Sequence, residues 1–264
     1  MSSDTSQADE RGVLSEDVET RQRVLYDRIA AEYDAAIDDV FARRYLTEFM
    51  REPLLGALSL AGKDILDAGC GTEGITPYPI SRGARVTGLD ISPREIEIYQ
   101  RRFPQSHAVC ASVLDMPFDD SSFDFVVMTG TLHHLHPDVQ RALDEVWRVL
   151  RPGGLLCLIE PHSGSLPDVF RKLWYRLDRR YFEANEASVD IEALLRANGS
   201  RLRLEYIRYG GGVAYLPVLL QLFIRIPRRW KPLYAPSLIR LERAFLPLQS
   251  RRMSFFVLCR LRKV

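Results

Sequence analysis

From Asp64 onward, short apolar runs alternate with stretches of helical period. Ile65-Leu66-Asp67-Ala68 reads as a strand ending in a glycine turn, and Arg85 to Asp90 as a second. Ser92-Pro93-Arg94-Glu95 opens a helix with a capping box and proline at its first position. His107 to Ser112 and Phe123 to Met128 are the next strands. Val139, Ala142, Leu143, Val146, Val149 and Leu150 then form one apolar helical stripe, stopped by Arg151-Pro152-Gly153-Gly154, and Leu155 to Ile159 is a fifth strand. Strands and helices alternating at this spacing predict an α/β fold with a parallel sheet covered on both faces.

The flanks are less regular. Met1 to Arg21 is acidic and polar and is expected to be a disordered tail, leaving 22–264 as one domain. Helical segments carrying Tyr26 to Asp34 follow it. Ser165 to Leu177 predicts an amphipathic helix with Val169, Phe170, Leu173, Trp174 and Leu177 on one side. Val189 to Ala197 is another helix, and Arg201 to Tyr209 and Met253 to Leu261 are strands. Between those strands lie about forty residues, Gly210 to Ser250, too many for a structureless loop in a compact domain, so a helical insertion is expected there.

Composition narrows the class. Hydrophobic residues make up 46% and charged residues 27% of the 264, which suits a folded globular chain and excludes wholesale disorder. The cysteines, Cys70, Cys110, Cys157 and Cys259, are scattered without a CxxC pair, so a reducing compartment is expected. With no apolar signal segment at the start, the expected location is the cytoplasm. The longest apolar run, Val213 to Leu220, falls short of the roughly 20 residues that cross a bilayer. A net charge of +1 hides a division: Arg171 to Val264 holds 20 Lys+Arg against 7 Asp+Glu, and the remainder is acidic. The basic third either meets an anionic partner or neutralises the acidic face of the same domain.

The candidate chemistry lies at the strand ends. Gly69-Cys70-Gly71-Thr72-Glu73-Gly74 fits GxGxxG after a strand, where glycines let the backbone turn sharply and approach a ligand. Alone it fits many nucleoside sites, or a bare turn. Asp67 before the loop, Asp90 at the end of the second strand and Asp115 past the third add three carboxylates. All three fall where open α/β sheets bind ligands, and Asp90 can accept both hydroxyls of a ribose. One such aspartate could be a cap or turn former; three together point to a ligand site.

As an ordered set, Ile65 to Gly74, Val86 to Ser92, Asp115 to Phe118, Phe123 to Leu135 and Leu150 to Glu160 resemble the motifs of class I S-adenosylmethionine-dependent methyltransferases. The likeness is to the small-molecule branch that includes the ubiquinone and menaquinone methyltransferases. It implies a Rossmann-like seven-stranded sheet, mostly parallel with its last strand antiparallel, S-adenosyl-L-methionine as cofactor and a small-molecule acceptor. It also implies roles. Asp67, Gly69 and Gly71 would hold the methionine end, with Thr129 and Gly130 opposite. Asp90, with Ile91 beside it, would take the ribose. Asp115 and Met116 would meet the adenine, and Tyr33 would be the N-terminal lid tyrosine. Glu73 departs from the pattern, standing where many relatives have glycine. A nicotinamide dehydrogenase fits the glycines and Asp90, but not Asp67 or the block from Leu114 to Phe118.

Methyl transfer from a sulfonium needs alignment above all, and a base only where the nucleophile must lose a proton. His134, then His133, are the candidate bases, because they follow the fourth strand into the expected crevice; packing alone is the alternative. Glu160 and His162 sit at the next strand end. No metal site is expected, since His133, His134 and His136 are too close in sequence to converge and no separate carboxylate pattern joins them. In the insertion, Leu238, Leu241, Phe245 and Leu248 form a stripe, and Arg225, Arg228, Arg229 and Lys231 cluster around Trp230. That predicts an apolar cover with a basic rim over the acceptor, or a peripheral membrane contact through 213–231. Nucleic acid is disfavoured as a partner, as no RNA-binding module is recognisable. Methylation of a protein or RNA, and a cofactor-binding protein without catalysis, are the alternatives to small-molecule transfer.

Overall fold

The computed structural model describes residues 4–177, 186–220 and 226–264. Its centre is a seven-stranded sheet in the order β3-β2-β1-β4-β5-β7-β6. The strands are β1 (Asp64–Ala68), β2 (Arg85–Asp90), β3 (His107–Cys110), β4 (Phe123–Thr129), β5 (Leu150–Pro161), β6 (Leu202–Gly210) and β7 (Phe256–Lys263). β1 to β5 pair in parallel, while β7 runs antiparallel to both β5 and β6. This is the Rossmann-like sheet with an antiparallel last strand that the sequence predicts. Arg151 to Gly154, expected to separate helix from strand, lies inside β5, where the pairing with β4 shifts register between Phe123 and Phe125. The glycines are absorbed as an irregularity in the strand rather than a break.

Successive residues of a strand face opposite sides of the sheet, so each inner strand feeds two cores. Leu66, Val126, Met128, Leu156 and Leu158 face one, packed with Leu143 and Val146 of α6 (Val139–Val149) and Ile191 and Leu194 of α8 (Ile191–Asn198). Ile65, Phe125, Val127, Cys157 and Ile159 face the other. There they meet Ala42 and Tyr45 of α2 (Val40–Tyr45), the π-helical turn Leu46–Arg51, α3 (Glu52–Leu55), the turn Tyr215–Leu219 and α9 (Lys231–Phe245). The remaining helices are α1 (Asp4–Ile37), α4 (Pro77–Ser81), α5 (Pro93–Arg102) and α7 (Leu166–Leu177).

Two stretches differ from expectation. The backbone up to Arg21, expected as a tail, is helical from Asp4 as the first part of α1; its Ala, Gln, Glu and Arg residues favour helix. Most of the expected inward stripe faces out: Leu238 packs partly against the core, but Leu241 and Phe245 of α9 and Leu248 in the turn after it are exposed, while Lys231, Ala235, Ile239 and Glu242 are buried. Two polar anchors set this rotation. Lys231 Nζ pairs with Asp39, and Glu242 accepts the backbone N–H groups of Gly212 at 3.0 Å and Ala214 at 2.7 Å and the Tyr45 hydroxyl. Unpaired inside the protein these donors would cost more than an exposed leucine does.

Candidate active site

β2 and β4 flank β1, so the chain direction of the sheet's windings diverges at the carboxyl ends of β1 and β4, where open sheets of this kind form a crevice. A cavity of about 360 Å³ lies there. The loop after β1 forms its floor. Gly69 has φ +77°, and a Cβ on it would lie 2.4 Å from Thr131 Oγ1. Gly74 has φ +50°, and its Cβ would lie 2.3 Å from Asp67 Oδ2. Both positions require glycine for reasons of backbone and space together.

Asp67 does not line the cavity; it shapes the loop. Fully buried, its Oδ2 accepts the N–H of Ile75 at 2.9 Å, the N–H of Thr76 at 3.1 Å and the Thr76 hydroxyl at 2.7 Å. Burial pushes its pKa up to about 6 against these hydrogen bonds. Asp90 does line the cavity: Oδ2 accepts Gly71 N–H and Oδ1 accepts Ser92 N–H, each at 2.9 Å. Burial raises its pKa, opposed by those donors. Glu95, buried beside it, is pushed well up by burial and by Asp90 and Asp27. Glu73, the departure from the family pattern, is neutralised in place. Arg51 reaches it at 2.6 Å and Arg102 at 3.2 Å, and Arg51 also donates to the Gly74 carbonyl at 2.8 Å.

Of the residues singled out from the sequence, Gly69, Gly71, Asp90, Ile91, Thr129, Gly130, His133 and His134 line this one cavity. Asp115 and Met116 do not. Asp115 is exposed and Met116 is part of the core, because the chain turns after β3 and offers Ser112, Val113 and Leu114 to the cavity instead. The Tyr33 side chain lies outside the described residues. Tyr26, two turns earlier on α1, lines the cavity with its hydroxyl 2.9 Å from His134 Nε2. The ordered motifs gave no signal for Ser112 or Tyr26.

The histidines sit on the short helical turn Leu132–His134. Glu160, at the end of β5, holds this turn: Oε1 accepts the N–H of Thr131 at 2.9 Å and of Leu132 at 2.8 Å, and Oε2 lies 3.0 Å from His133 Nδ1. Burial pushes Glu160 up to about 7 and His133 well down. For His134, burial opposes charge, but Glu186, Glu160 and Asp90 outweigh it and its pKa is raised. Glu186 Oε1 lies 3.3 Å from His134 Nδ1. This carboxylate, some fifty residues further along the chain, is a partner for the pair that its sequence position did not reveal.

The far end of the cavity is apolar. Leu46 and Met50 come from the π-helical turn, Tyr215, Leu219 and Leu220 from the insertion, and Phe255 and Phe256 from the start of β7. Phe170 and Trp174 of α7 stand at the mouth, and Phe170 is otherwise exposed. The expected basic rim is absent among the described residues: Lys231 is buried on Asp39, Arg228 donates to the Asp38 carbonyl, Arg229 lies 5.9 Å from the Trp230 ring, and none lines the cavity. Arg225 lies outside the described residues. Along Val213 to Leu220, Ala214, Val218 and Leu219 are buried and Tyr215, Leu216 and Leu220 line the cavity, so most of the apolar run faces the core and the cavity.

Residues 66–158 match the family model of the methyltransferase domain. The chain carries a methyltransferase domain. It is 34% identical over 167 residues to a demethylmenaquinone methyltransferase of Tropheryma whipplei, covering 60% of this chain and 65% of that one. It is 31% identical over 154 residues to a malonyl-[acyl-carrier protein] O-methyltransferase of Serratia marcescens, covering 58% and 57%. The chain thus spans less than two thirds of the length of these curated relatives. The N-methyltransferase NodS of Bradyrhizobium japonicum, solved with S-adenosyl-L-homocysteine, shares the methyltransferase fold with a TM-score of 0.59 at 18% identity, over 91% of this chain and 97% of that one. Among the described residues, no helix is long and apolar enough to cross a membrane.

Proposed function

We propose that the protein transfers a methyl group from S-adenosyl-L-methionine to a small, largely apolar acceptor, with residues 22–264 acting as one unit. One observation carries this reading: the glycine loop and Asp90 share a continuous cavity with an aromatic and aliphatic chamber. The cofactor fits the donors present. Asp90 lines the cavity with its carboxylate fixed by the Gly71 and Ser92 N–H groups, which suits it to accept a ribose hydroxyl. Thr129 Oγ1 and Thr72 Oγ1, both in the cavity wall, are buried without a hydrogen-bond partner among the described residues, as suits groups awaiting a polar ligand. Ser112 and Val113 supply the wall beyond Asp90 on the adenine side.

The cofactor supplies an electrophilic methyl on a sulfonium. The chain supplies alignment: the loop after β1 fixes one reactant, and the Met50, Tyr215 and Phe256 side the other. His134 is placed to take the proton that an O–H or N–H acceptor loses, with Glu186 orienting its ring and favouring the imidazolium. His133, kept neutral and tied to Glu160, positions the turn that carries His134. The relative named for demethylmenaquinone supports an apolar acceptor, and the one named for malonyl-acyl carrier protein supports an oxygen nucleophile. A radiolabel-transfer screen of hydroxylated quinones, phenols and acyl thioesters tests the reading. Methylation of an apolar member is expected, and His134→Ala should lower turnover far more than cofactor affinity. Calorimetry showing tight NAD binding and no S-adenosylhomocysteine binding would overturn it.

A further inference from the structure

The ligand atoms of His133, His134 and Glu186 lie within 4.8 Å of one another inside the cavity, two of the three side chains buried and His134 half-buried. Two features distinguish this cluster from a chance meeting of polar side chains. The first is how each imidazole is held. A carboxylate only accepts, so the 3.0 Å contact with Glu160 Oε2 places the His133 proton on Nδ1 and its lone pair on Nε2. While no ion is bound the same rule keeps a His134 proton on Nδ1 toward Glu186; an ion would displace that proton, and the Tyr26 oxygen, 2.9 Å from Nε2, can then accept the proton that remains there. Metal-binding histidines are held in this way, with the outer nitrogen donating to an oxygen that fixes tautomer and ring plane. The second is spacing. Tetrahedral donors at about 2.0–2.1 Å from an ion stand roughly 3.3 Å apart. His134 Nδ1 and Glu186 Oε1 are already 3.3 Å apart, and a rotation of the His133 ring away from its stack on His134 would bring its nitrogen into the same range.

We propose that His133, His134 and Glu186 form a binding site for one divalent transition metal ion, with the remaining coordination position open to the acceptor chamber. Two nitrogens and one carboxylate oxygen suit zinc or iron(II) rather than magnesium or calcium, which prefer oxygen alone. Charge agrees: Glu186 beside the ion and Glu160 behind His133 offset a dication, while Arg171, Asp90, His136 and Tyr26 also face the pair. An ion there can polarise an oxygen of a bound acceptor. His134 then serves as a ligand, so its base role and its metal role are alternatives for one side chain. Occupancy itself does not depend on methyl transfer being the reaction.

The test uses the full chain, without an affinity tag and stripped with chelator, titrated with cobalt(II) chloride and then zinc chloride. Expected are one cobalt per chain with visible d–d absorption, displacement by zinc, and at least a 10-fold weaker affinity in Glu186→Gln and His133→Ala. His107→Ala, an exposed histidine on β3, should bind as the parent does. Absent stoichiometric binding, or binding equal in all variants, overturns the site. Should the variants fail to fold, the parent protein decides: zinc must protect His133 and His134 from diethyl pyrocarbonate while leaving His107 reactive, and equal labelling with and without zinc refutes the proposal.

Discussion

Arg51 and Glu73 meet at 2.6 Å with their side chains only 5% and 3% exposed, one from the π-helical turn and one from the glycine loop. A family-atypical acid in the loop is therefore balanced by an arginine from a different part of the chain. Removing one partner of such a pair leaves a buried charge, at a cost of about 3–5 kcal/mol. Glu73→Ala is expected near the lower end, because Arg51 keeps the Gly74 carbonyl and Arg102 keeps Asp34 at 2.8 Å. Denaturant melts should show the loss, and Arg51→Met combined with Glu73→Ala should recover much of it. Additive losses in the double variant would contradict the pairing.

Asp90 ties Gly71 to the start of α5 while lining the cavity. Asp90→Ala is expected to weaken S-adenosylhomocysteine binding by about 1.5–3 kcal/mol, the range for hydrogen bonds to a charged group. Calorimetry reads this directly. An affinity within two-fold of the parent would remove Asp90 from the cofactor site.

Glu242 anchors the insertion to Gly212, Ala214 and Tyr45 from inside the protein. Glu242→Ala strands these donors, each costing about 1–3 kcal/mol. The Tyr215–Leu219 turn should loosen, so the acceptor KM is expected to rise several-fold with cofactor affinity unchanged. Steady-state kinetics beside cofactor titration separates the two; a parallel loss of cofactor binding would make the insertion part of the cofactor site.

Asp168 supplies a pH dependence. Burial opposes its charge, but the Ser188 hydroxyl, Lys172, Arg171 and the Gly164 N–H hold its pKa down to about 2. A carboxyl depressed in the folded state stabilises above its unfolded pKa near 4, and that contribution is lost as pH falls through the window from about 4 to 2. Asp168→Asn should be less stable than the parent at pH 6, and the gap should close toward pH 2. A constant gap across urea melts at both ends would show that the carboxylate charge is irrelevant.

The sheet and the loop after β1 were legible because their signals are local: a run of apolar residues, a glycine turn, an acid at the strand end. Asp90 follows from that alone. The cavity wall after β3 was not, since past β3 the chain has no period to say which side chain turns inward, and Ser112 rather than Asp115 reaches the cavity. Tyr26 and Tyr33 are two turns apart on one face of α1, so which of them meets the cavity depends on where along its length the helix crosses the site, and the local pattern does not say. The orientation of α9 was hidden for a different reason. Amphipathic reasoning puts leucines in and charges out, whereas Lys231 and Glu242 are buried because their partners, Asp39 and the Gly212 and Ala214 amides, come from elsewhere. Glu186 has no helical or strand pattern around it, and only the tertiary fold brings it to His134.

The strand order has a consequence for how the molecule is made. β7 follows β6 in the chain, yet it lies between β5 and β6 rather than at the sheet edge. During synthesis β1 to β5 can pair as they emerge, but β6 has no strand to join until β7, which follows the insertion, has emerged. The growing chain therefore carries the glycine loop ahead of Phe255 and Phe256, which complete the acceptor chamber last. A nascent chain stalled short of β7 exposes the open edge of β5 and the apolar faces of β6, surfaces that chaperones bind and that pair with neighbouring chains.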